Sequence, residues 1–306
     1  MLTVSNYHYI RESFKAKYQS IFGVTQNNFK NQLLKLNKEG DFISIQDFIK
    51  NKDEILTSKN NYILITFDDG LKEQIDNAMP ILEDLNIPAV FFANSINHNE
   101  KKVSTVHKIH LLRSFVSPIK LLNNLREYYP KIDEFLISEK RKAVSCYRFD
   151  DESSAILKYI LNFSIPFHIA NQLIEKIFSL YFDSNEIVEN LYMSKSDLIN
   201  LASKGYLGSH SHSHFPLGKL NSDEILYELE FSKIFLEKLT TSKIESISYP
   251  YGTIEACSDK VLELAKKVGY KCGFSTAKGV NNTKSNKLLL NRFDCNDLIG
   301  GKNYGN

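Results

Sequence analysis

The chain has 306 residues, of which 42% are hydrophobic and 24% charged, a composition typical of soluble globular proteins. This composition excludes a disordered chain, a collagen-like repeat and a coiled coil. The 38 basic and 36 acidic side chains nearly balance and leave a formal charge of +2. So small a net charge gives no strong field that would attract nucleic acid or an anionic membrane, and we expect neither as a partner.

The cysteines and the amino terminus carry no disulfide or export signal. The four cysteines are widely scattered without a Cys-x-x-Cys pair, at Cys146, Cys257, Cys272 and Cys295. This spacing argues against a disulfide framework and a cysteine zinc cluster, and it predicts buried free thiols. The first residues lack the pattern of a signal peptide, and no segment approaches the roughly 18 apolar residues of a membrane span. We therefore expect a cytoplasmic protein.

The first third of the chain shows a strand, helix, strand pattern. Apolar residues at helical spacing predict a helix over residues 26–36. Residues 62–66 are an uncharged run of β-branched and aromatic side chains, which predicts a strand buried on both faces. A predicted helix over residues 72–85 and a second buried strand over residues 88–92 follow. This order predicts a βαβ unit with two parallel strands.

The pattern changes in the middle of the chain and then returns. Residues 97–192 are long helical stretches rich in Leu, Ile, Phe and Tyr, which predict a helical insertion after the second strand. Strands and helices then alternate to the carboxyl end. The predicted strands are 206–209, 244–249, 271–275 and 288–293, and the predicted helices are 196–203, 222–239 and 255–268. The whole predicts one α/β domain over residues 1–306, folded as a distorted or incomplete (β/α) barrel.

Two adjacent carboxylates, Asp68 and Asp69, follow the first buried strand. The carboxyl ends of strands are where α/β barrels and open α/β sheets place their active sites. Because the two charges repel each other, ionising both is costly unless a cation neutralises one. The pair therefore indicates a metal site, although a strand-ending Asp-Gly turn explains this fragment equally well.

Three of the eight histidines, His210, His212 and His214, lie within five residues, just after another predicted strand. His210 and His214 could face one point from a helical turn, whereas an extended segment would align all three. Alone, the cluster is explained equally well by a solvated polar turn and by a metal-binding loop. Together with the aspartates, it indicates two imidazoles and one carboxylate around an ion, which leaves positions open for water and substrate, as in catalytic zinc sites.

A third turn follows the next predicted strand and reads Ser248-Tyr249-Pro250-Tyr251-Gly252. Pro250 fixes the chain and Gly252 permits a tight turn, so the backbone N–H of Tyr251 could be held toward the site. By itself, an ordinary strand-to-helix turn explains this segment.

In their order and placement these three strand ends resemble the successive motifs of the polysaccharide deacetylases, carbohydrate esterase family 4, which share the NodB-homology domain. The motifs are Thr66-Phe67-Asp68-Asp69-Gly70, His210-Ser211-x-Ser213-His214 and Tyr249-Pro250-Tyr251-Gly252. Tyr7-His8 near the start and Leu290-Asn291-Arg292 near the end extend the likeness. It covers about residues 3–95 and 193–295, without the helical middle, and it implies the distorted barrel of the family.

The resemblance implies a metal-dependent hydrolase that removes an N-acetyl group from an amino sugar of a glycan or glycan precursor. Asp69, His210 and His214 would hold a divalent ion, usually zinc in the family, and Asp68 would be the general base. The metal and the backbone N–H of Tyr251 would stabilise the tetrahedral oxyanion. The expected partner is accordingly an N-acetylated saccharide.

Two family features are missing from this sequence. Many members have an arginine shortly before the Pro-Tyr turn that orients the base; here we expect Arg292 to replace it. Members also often have a carboxyl-terminal histidine as general acid, whereas no histidine follows His214. The acid is therefore unassigned, with the candidates His8, His107, His110 and His212.

Two other functions fit part of the pattern. A chain that kept the metal but lost catalysis would be a carbohydrate-binding module, which the missing carboxyl-terminal histidine favours and the retention of Asp68 beside Asp69 opposes. A two-His-one-carboxylate iron oxygenase would use the same ligand types. In such enzymes, however, one histidine usually lies close to the acidic residue, whereas here the two histidines are close and the aspartate is remote.

Overall fold

The computed structural model describes residues 1–13, 23–146 and 151–305. They divide into two compact units. The first comprises residues 1–13, 23–102 and 188–305, and the second comprises residues 103–146 and 151–187. A single domain with an insertion at residues 97–192 stays a prediction.

The first unit is built on a parallel sheet of eight short strands. The strands in the described part of the chain are β1 (Leu2–Tyr7), β2 (Tyr9–Arg11), β3 (Gly23–Thr25), β4 (Asp41–Phe42), β5 (Tyr62–Phe67), β6 (Ala89–Ala93), β7 (Leu207–Ser209), β8 (Ser246–Ser248), β9 (Cys272–Phe274) and β10 (Phe293–Asp294). The order in the large sheet is β10-β1-β5-β6-β7-β8-β9, and β4 pairs with the beginning of β5. Strands β2 and β3 form a separate parallel pair.

Residues 290–293 connect the two edges of the large sheet. Leu290 forms a parallel bridge to Phe274 of β9, and a few residues later Phe293 of β10 pairs with Ser5 of β1. The sheet therefore curls into a distorted (β/α) barrel, which confirms the predicted fold class.

Helices cover the outside of the barrel and form the second unit. In chain order they are α1 (Gln26–Leu36), α2 (Ile45–Thr57), α3 (Met79–Asp84), α4 (Ile96–Asn99), α5 (Thr105–Phe115), α6 (Pro118–Tyr128), α7 (Ile132–Ser138), α8 (Lys140–Cys146), α9 (Glu152–Tyr159), α10 (Phe167–Ser179), α11 (Ser184–Leu191), α12 (Lys195–Ser203), α13 (Ser222–Thr240) and α14 (Asp259–Val268). The described residues of the second unit are helices and their connections, with α10 packed against α5 and α6. None of the helices that the structure describes has the length and hydrophobicity of a membrane span.

Side chains on the strands alternate between the interior of the barrel and its helix-covered outside. Odd-numbered residues of β5, such as Ile63 and Ile65, join the large core that includes Phe29 of α1. Even-numbered residues such as Leu64 join a smaller core closed by Phe48 of α2. The even-numbered positions face the interior of the barrel, and toward the carboxyl ends of the strands they become polar. These buried residues are Asn6, Thr66, Asp68, Asn94, His210, Ser248 and Arg292.

Most predicted elements of the first unit are confirmed within a few residues, and two differ; the observed elements β1, β2, β3, β4 and α2 were not predicted. Strand β1 was not predicted, because its inward positions turn polar after Val4 and shorten the apolar run. The predicted strand 288–293 is wrong in extent, since only Phe293–Asp294 is a strand there. The predicted helix 72–85 contains a π-helical turn, Gln74–Ala78. Pro80 follows this turn and has no N–H for the carbonyl four residues earlier, so the backbone widens.

Three of the four cysteines match the prediction of buried free thiols. Cys257, Cys272 and Cys295 are buried and free. The side chain of Cys146 lies outside the described part of the chain.

Candidate active site

Three buried side chains converge where β5 and β7 end. The Nε2 atoms of His210 and His214 lie 3.5 Å and 3.3 Å from Oδ1 of Asp69. Among the described residues, these three form the group whose potential ligand atoms all lie within 4.8 Å of one another. One divalent ion could contact all three, because zinc–nitrogen and zinc–oxygen bonds are about 2 Å long.

Hydrogen bonding leaves His210 in the form that can bind a metal. Its Nδ1 lies 2.7 Å from the backbone carbonyl of Ser248. A carbonyl only accepts, so Nδ1 carries the proton, and in the neutral ring the lone pair of Nε2 points toward Asp69. Metal-binding histidines commonly donate their second ring N–H to a carbonyl in this way.

The charges around His210 favour a cation at this position. Burial alone would lower the pKa of His210, but the carboxylates of Asp68 and Asp69 outweigh it and raise the pKa. Both aspartates are almost completely buried, at 2% and 3% exposure. A divalent ion would neutralise the same two negative charges. The electrostatics and the type of ligand atoms therefore both favour a metal site here.

The loop that carries the histidines is held in an unusual backbone conformation. Ser211 and His214 have φ values of 61° and 58°, in the left-handed region that non-glycine residues seldom occupy. The buried carboxylate of Glu228, on α13, accepts a hydrogen bond from the backbone N–H of Ser213 at 2.7 Å. On the other side, the side-chain amide of Asn94 donates to the carbonyl of His210. These contacts offset the strain and fix the directions of the two imidazoles.

Asp68 lies beside the three converging residues and is bound by a buried arginine. Arg292 donates from Nη1 to Oδ1 and from Nη2 to Oδ2 of Asp68, at 2.9 Å and 2.7 Å. Burial would raise the pKa of Asp68, but the Arg292 charge and its hydrogen bonds, with His210, hold the pKa well below its usual range. Asp68 is therefore an ionised carboxylate whose orientation is set by a planar guanidinium.

Arg292 is itself fixed by the upper, polar part of the barrel interior. Its Nε donates to the carbonyl of Ser275 at 2.8 Å, and Nη1 also lies 3.1 Å from Oδ1 of Asn6 and 3.4 Å from Oγ1 of Thr66. With these bonds, both terminal nitrogens and Nε have acceptors. The arginine can thus be 1% exposed without an unpaired charge.

The turn after β8 places an aromatic ring beside the histidines. The ring of Tyr251 packs edge-on against that of His214, with centroids 5.2 Å apart. Tyr251 and Gly252 both have positive φ, at 64° and 59°. Thr276 holds the turn, since its Oγ1 donates to the carbonyl of Tyr251 and its N–H to the carbonyl of Gly252. The conformation of the turn is thus fixed by a neighbouring strand end.

A sequence model of the family described as polysaccharide deacetylase matches residues 56–112 and 138–273, which together make up more than half of the chain. The chain belongs to the polysaccharide deacetylase family. Both aspartates, the histidine loop and Tyr251 lie within the matched segments, whereas His8 and Arg292 lie outside them. No curated protein is a significant match to the sequence.

Solved structures of other deacetylases share the fold of this family member. The deacetylase PplD of Streptococcus pyogenes, in complex with acetate, is 17% identical with a TM-score of 0.57, covering 96% of this chain and 91% of PplD. IcaB of Ammonifex degensii is 15% identical at the same TM-score and the same two coverages. A de-N-acetylase of Aggregatibacter actinomycetemcomitans is 14% identical, with a TM-score of 0.57, covering 96% of this chain and 95% of its own. At these identities the likeness establishes the fold.

The four candidate acids of this family member lie in different surroundings. Nε2 of His8 is 4.0 Å from Oδ2 of Asp68, and the His8 side chain is 37% exposed. His212 is 2% exposed and points away from Asp69, His210 and His214, since its ring nitrogens bond to Ser95 and Glu100 at 2.8 Å and 2.9 Å. His107 and His110 lie on α5, in the second unit. In the first unit, His8 thus combines closeness to Asp68 with access to solvent, whereas His212 is buried.

Sequence reasoning did not find Asn94 or Glu228, which hold the histidine loop. Neither residue belongs to a motif, and each acts through a hydrogen bond to the backbone of a distant segment. Such partners leave no periodic signal in the sequence. The alternation of polar inward positions at the ends of β5 and β6 is the nearest available indication for Asn94.

Proposed function

We propose that this member of the polysaccharide deacetylase family is a metal-dependent N-deacetylase that hydrolyses the N-acetyl group of an amino sugar. The observation that carries the proposal is the convergence of Asp69, His210 and His214, with Asp68 beside them and outside that group. A carboxylate that is close to the ion but not needed as a ligand can act as a base. Family membership supports an acetylated saccharide as the substrate.

Asp69, His210 and His214 would hold the metal in this proposal. Two imidazoles and one carboxylate are suited to zinc, and other first-row divalent ions accept the same set. When bound, the ion would supply Lewis acidity that polarises the amide carbonyl and acidifies water. We propose zinc as the native metal.

Asp68 would take the proton from the attacking water. Its pKa lies below the usual range, so the carboxylate is ionised at neutral pH and has no proton of its own to lose first. Arg292 would keep the carboxylate oriented, since it binds both oxygens. The backbone N–H of Tyr251 would donate a hydrogen bond to the oxyanion that develops at the former carbonyl.

His8 would donate the proton that the leaving amine needs. Its imidazole lies beside Asp68, so acid and base would flank the same reacting group, and its exposure leaves room for a sugar next to the ring. The proton balance closes, because Asp68 takes one proton from water and His8 supplies one to the nitrogen. The products would be acetate and a free amino sugar.

A substrate screen with two variants tests this proposal. The purified protein, supplied with zinc, is incubated with N-acetylated monosaccharides, nucleotide sugars and oligosaccharides, and released acetate is measured. A cytoplasmic location, which the sequence predicts, would favour a biosynthetic precursor over a finished polymer. Acetate release is expected with at least one of these substrate classes.

The variants separate metal binding from proton transfer. Asp68→Asn should abolish turnover while the zinc content stays at the wild-type level, and Asp69→Ala should lower both. Asp84→Asn, at an exposed site, is the control and should change neither. A protein that binds zinc and saccharide but releases no acetate would instead be a non-catalytic carbohydrate-binding module.

A further inference from the structure

The side-chain amide of Gln74 connects the backbones of the two residues assigned to proton transfer. Its Nε2 donates to the carbonyl of His8 at 2.9 Å and to the carbonyl of Asp68 at 2.6 Å. Gln74 is completely buried. One amide group thus joins the connection between β1 and β2 to the end of β5.

The chemistry of the two acceptors fixes the orientation of this amide. Both are carbonyl oxygens, which accept hydrogen bonds and cannot donate, so the NH2 group of Gln74 must face them. Both of its hydrogens are then used. Its Oε1 is buried without a hydrogen-bond partner among the described residues. A buried acceptor without a partner is unfavourable, so stability alone does not explain a glutamine at this position.

The π-helical turn that begins at Gln74 brings a second amide to the same segment. Asn77, three residues later, donates from Nδ2 to the carbonyl of Ile10 at 2.7 Å. The turn therefore holds the chain around β2 at two points, the carbonyls of His8 and Ile10. Only the Gln74 contact includes residues with a proposed role in the reaction. Asn77 is accordingly a matched reference for the purely structural part of the interaction.

We propose that Gln74 is a positioning residue that sets the separation of His8 and Asp68. This inference rests on the proposed function, in which these two residues are the acid and the base. Their side chains are 4.0 Å apart, from Nε2 to Oδ2, and neither main chain can shift without breaking a bond to the same amide. A misplacement of about 1 Å in a catalytic group can lower the rate about 100-fold.

The test compares Gln74→Met with Asn77→Leu in the full-length, zinc-loaded protein. Methionine has nearly the length of glutamine but no donor, so both carbonyls lose their partner. We expect kcat for acetate release to fall about 10- to 100-fold, with KM within about twofold of the wild type. Zinc stoichiometry should remain that of the wild type. Asn77→Leu should leave kcat within about threefold.

Each outcome supports or overturns the inference. An unchanged kcat in Gln74→Met, or an equal loss in Asn77→Leu, would mean that the amide has only a structural role. Should Gln74→Met fail to fold, Gln74→Asn decides, because it keeps the donors but is too short to reach both carbonyls; a lower kcat at unchanged KM is again expected. A wild-type protein that releases no acetate would overturn the proposed function itself, which separates that failure from this one.

Discussion

Arg292 and Asp68 form a two-point ion pair that joins the end of the chain to the candidate active site. The guanidinium meets both carboxylate oxygens, at 2.9 Å and 2.7 Å, and both residues are almost inaccessible to solvent. Such a pair does two things. It keeps Asp68 ionised, and it fixes the plane of the carboxylate. The two effects can be separated by substitution.

Replacing the arginine tests charge and geometry in turn. Arg292→Met leaves a buried carboxylate without its partner, and we expect the free energy of unfolding to fall by about 3 kcal/mol or more at pH 7. Arg292→Lys keeps the positive charge but loses the planar two-point contact, so a folded protein with a kcat lowered about 10- to 100-fold is expected.

Urea unfolding and acetate release measure these two effects. Lys30→Met is the control, because Lys30 forms an exposed ion pair with Asp84 and its loss should cost less than about 1 kcal/mol. An Arg292→Met variant as stable as Lys30→Met would show that the buried pair does not stabilise the fold.

Glu228 should affect metal binding although it is not among the proposed ligands. Its carboxylate holds the backbone N–H of Ser213, next to His214, at 2.7 Å. Glu228→Ala removes this acceptor, and we expect zinc affinity to fall about 10- to 100-fold, the range typical of groups that orient metal ligands. Glu228→Gln keeps an acceptor at the same length and should recover most of the affinity.

Titration calorimetry with zinc measures both variants. Glu230→Ala, at an exposed position on the same helix, is the matched control and should bind zinc like the wild type. Equal affinities of Glu228→Ala and the wild type would contradict a role for Glu228 in shaping the loop.

The sequence predicted those parts of the fold and site that have a local pattern. Strand β5 was predicted from its uncharged β-branched run, and the side chains of Asp69, His210 and His214 meet although about 140 residues separate the aspartate from the histidines. Parallel strands end at one edge of a barrel, which is why motifs at strand ends converge. Their chemical roles stay predictions.

The remaining features depend on long-range contacts that no local pattern encodes. Strand β1 escaped prediction because its later inward residues are polar and face the upper part of the barrel. Gln74 and Asn94 act on backbone carbonyls of other segments, so their importance is not visible in spacing or composition. His8 differs from His212 in its distance to Asp68 and in its exposure, and neither property is visible in the sequence.

Gly252 should be the least replaceable glycine of the site. Its φ is +59°, and a Cβ there would lie 2.6 Å from the backbone nitrogen of Thr276. Gly252→Ala therefore combines left-handed strain with a clash, and we expect a loss of about 3 kcal/mol in unfolding free energy. Gly269 also has positive φ, but nothing lies within 4 Å of its added Cβ, so Gly269→Ala should cost only about 1–2 kcal/mol.

Thermal and urea unfolding compare the two glycine variants, and acetate release reports on the turn. Because Tyr251 precedes Gly252 and its ring packs against His214, Gly252→Ala should also lower kcat, whereas Gly269→Ala should not. Equal effects of the two substitutions on stability would show that the turn adapts to a side chain.

His98 should make the stability of the protein depend on pH. The residue is 7% exposed on α4, and burial, with a smaller contribution from Lys195, lowers its pKa from 6.5 to about 4. Between these two values the unfolded chain binds a proton that the folded protein does not. The free energy of unfolding is therefore highest above pH 6.5 and falls as the pH decreases toward 4.

The contribution of His98 can be isolated by difference. From pH 7.5 to pH 5 the wild type should lose about 2 kcal/mol more than His98→Gln, which has no titrating group at this position. Urea unfolding at both pH values gives this difference. His168→Gln, at an exposed site, should follow the wild type. Parallel pH profiles of His98→Gln and the wild type would show that His98 is charged, or solvated, in the folded protein.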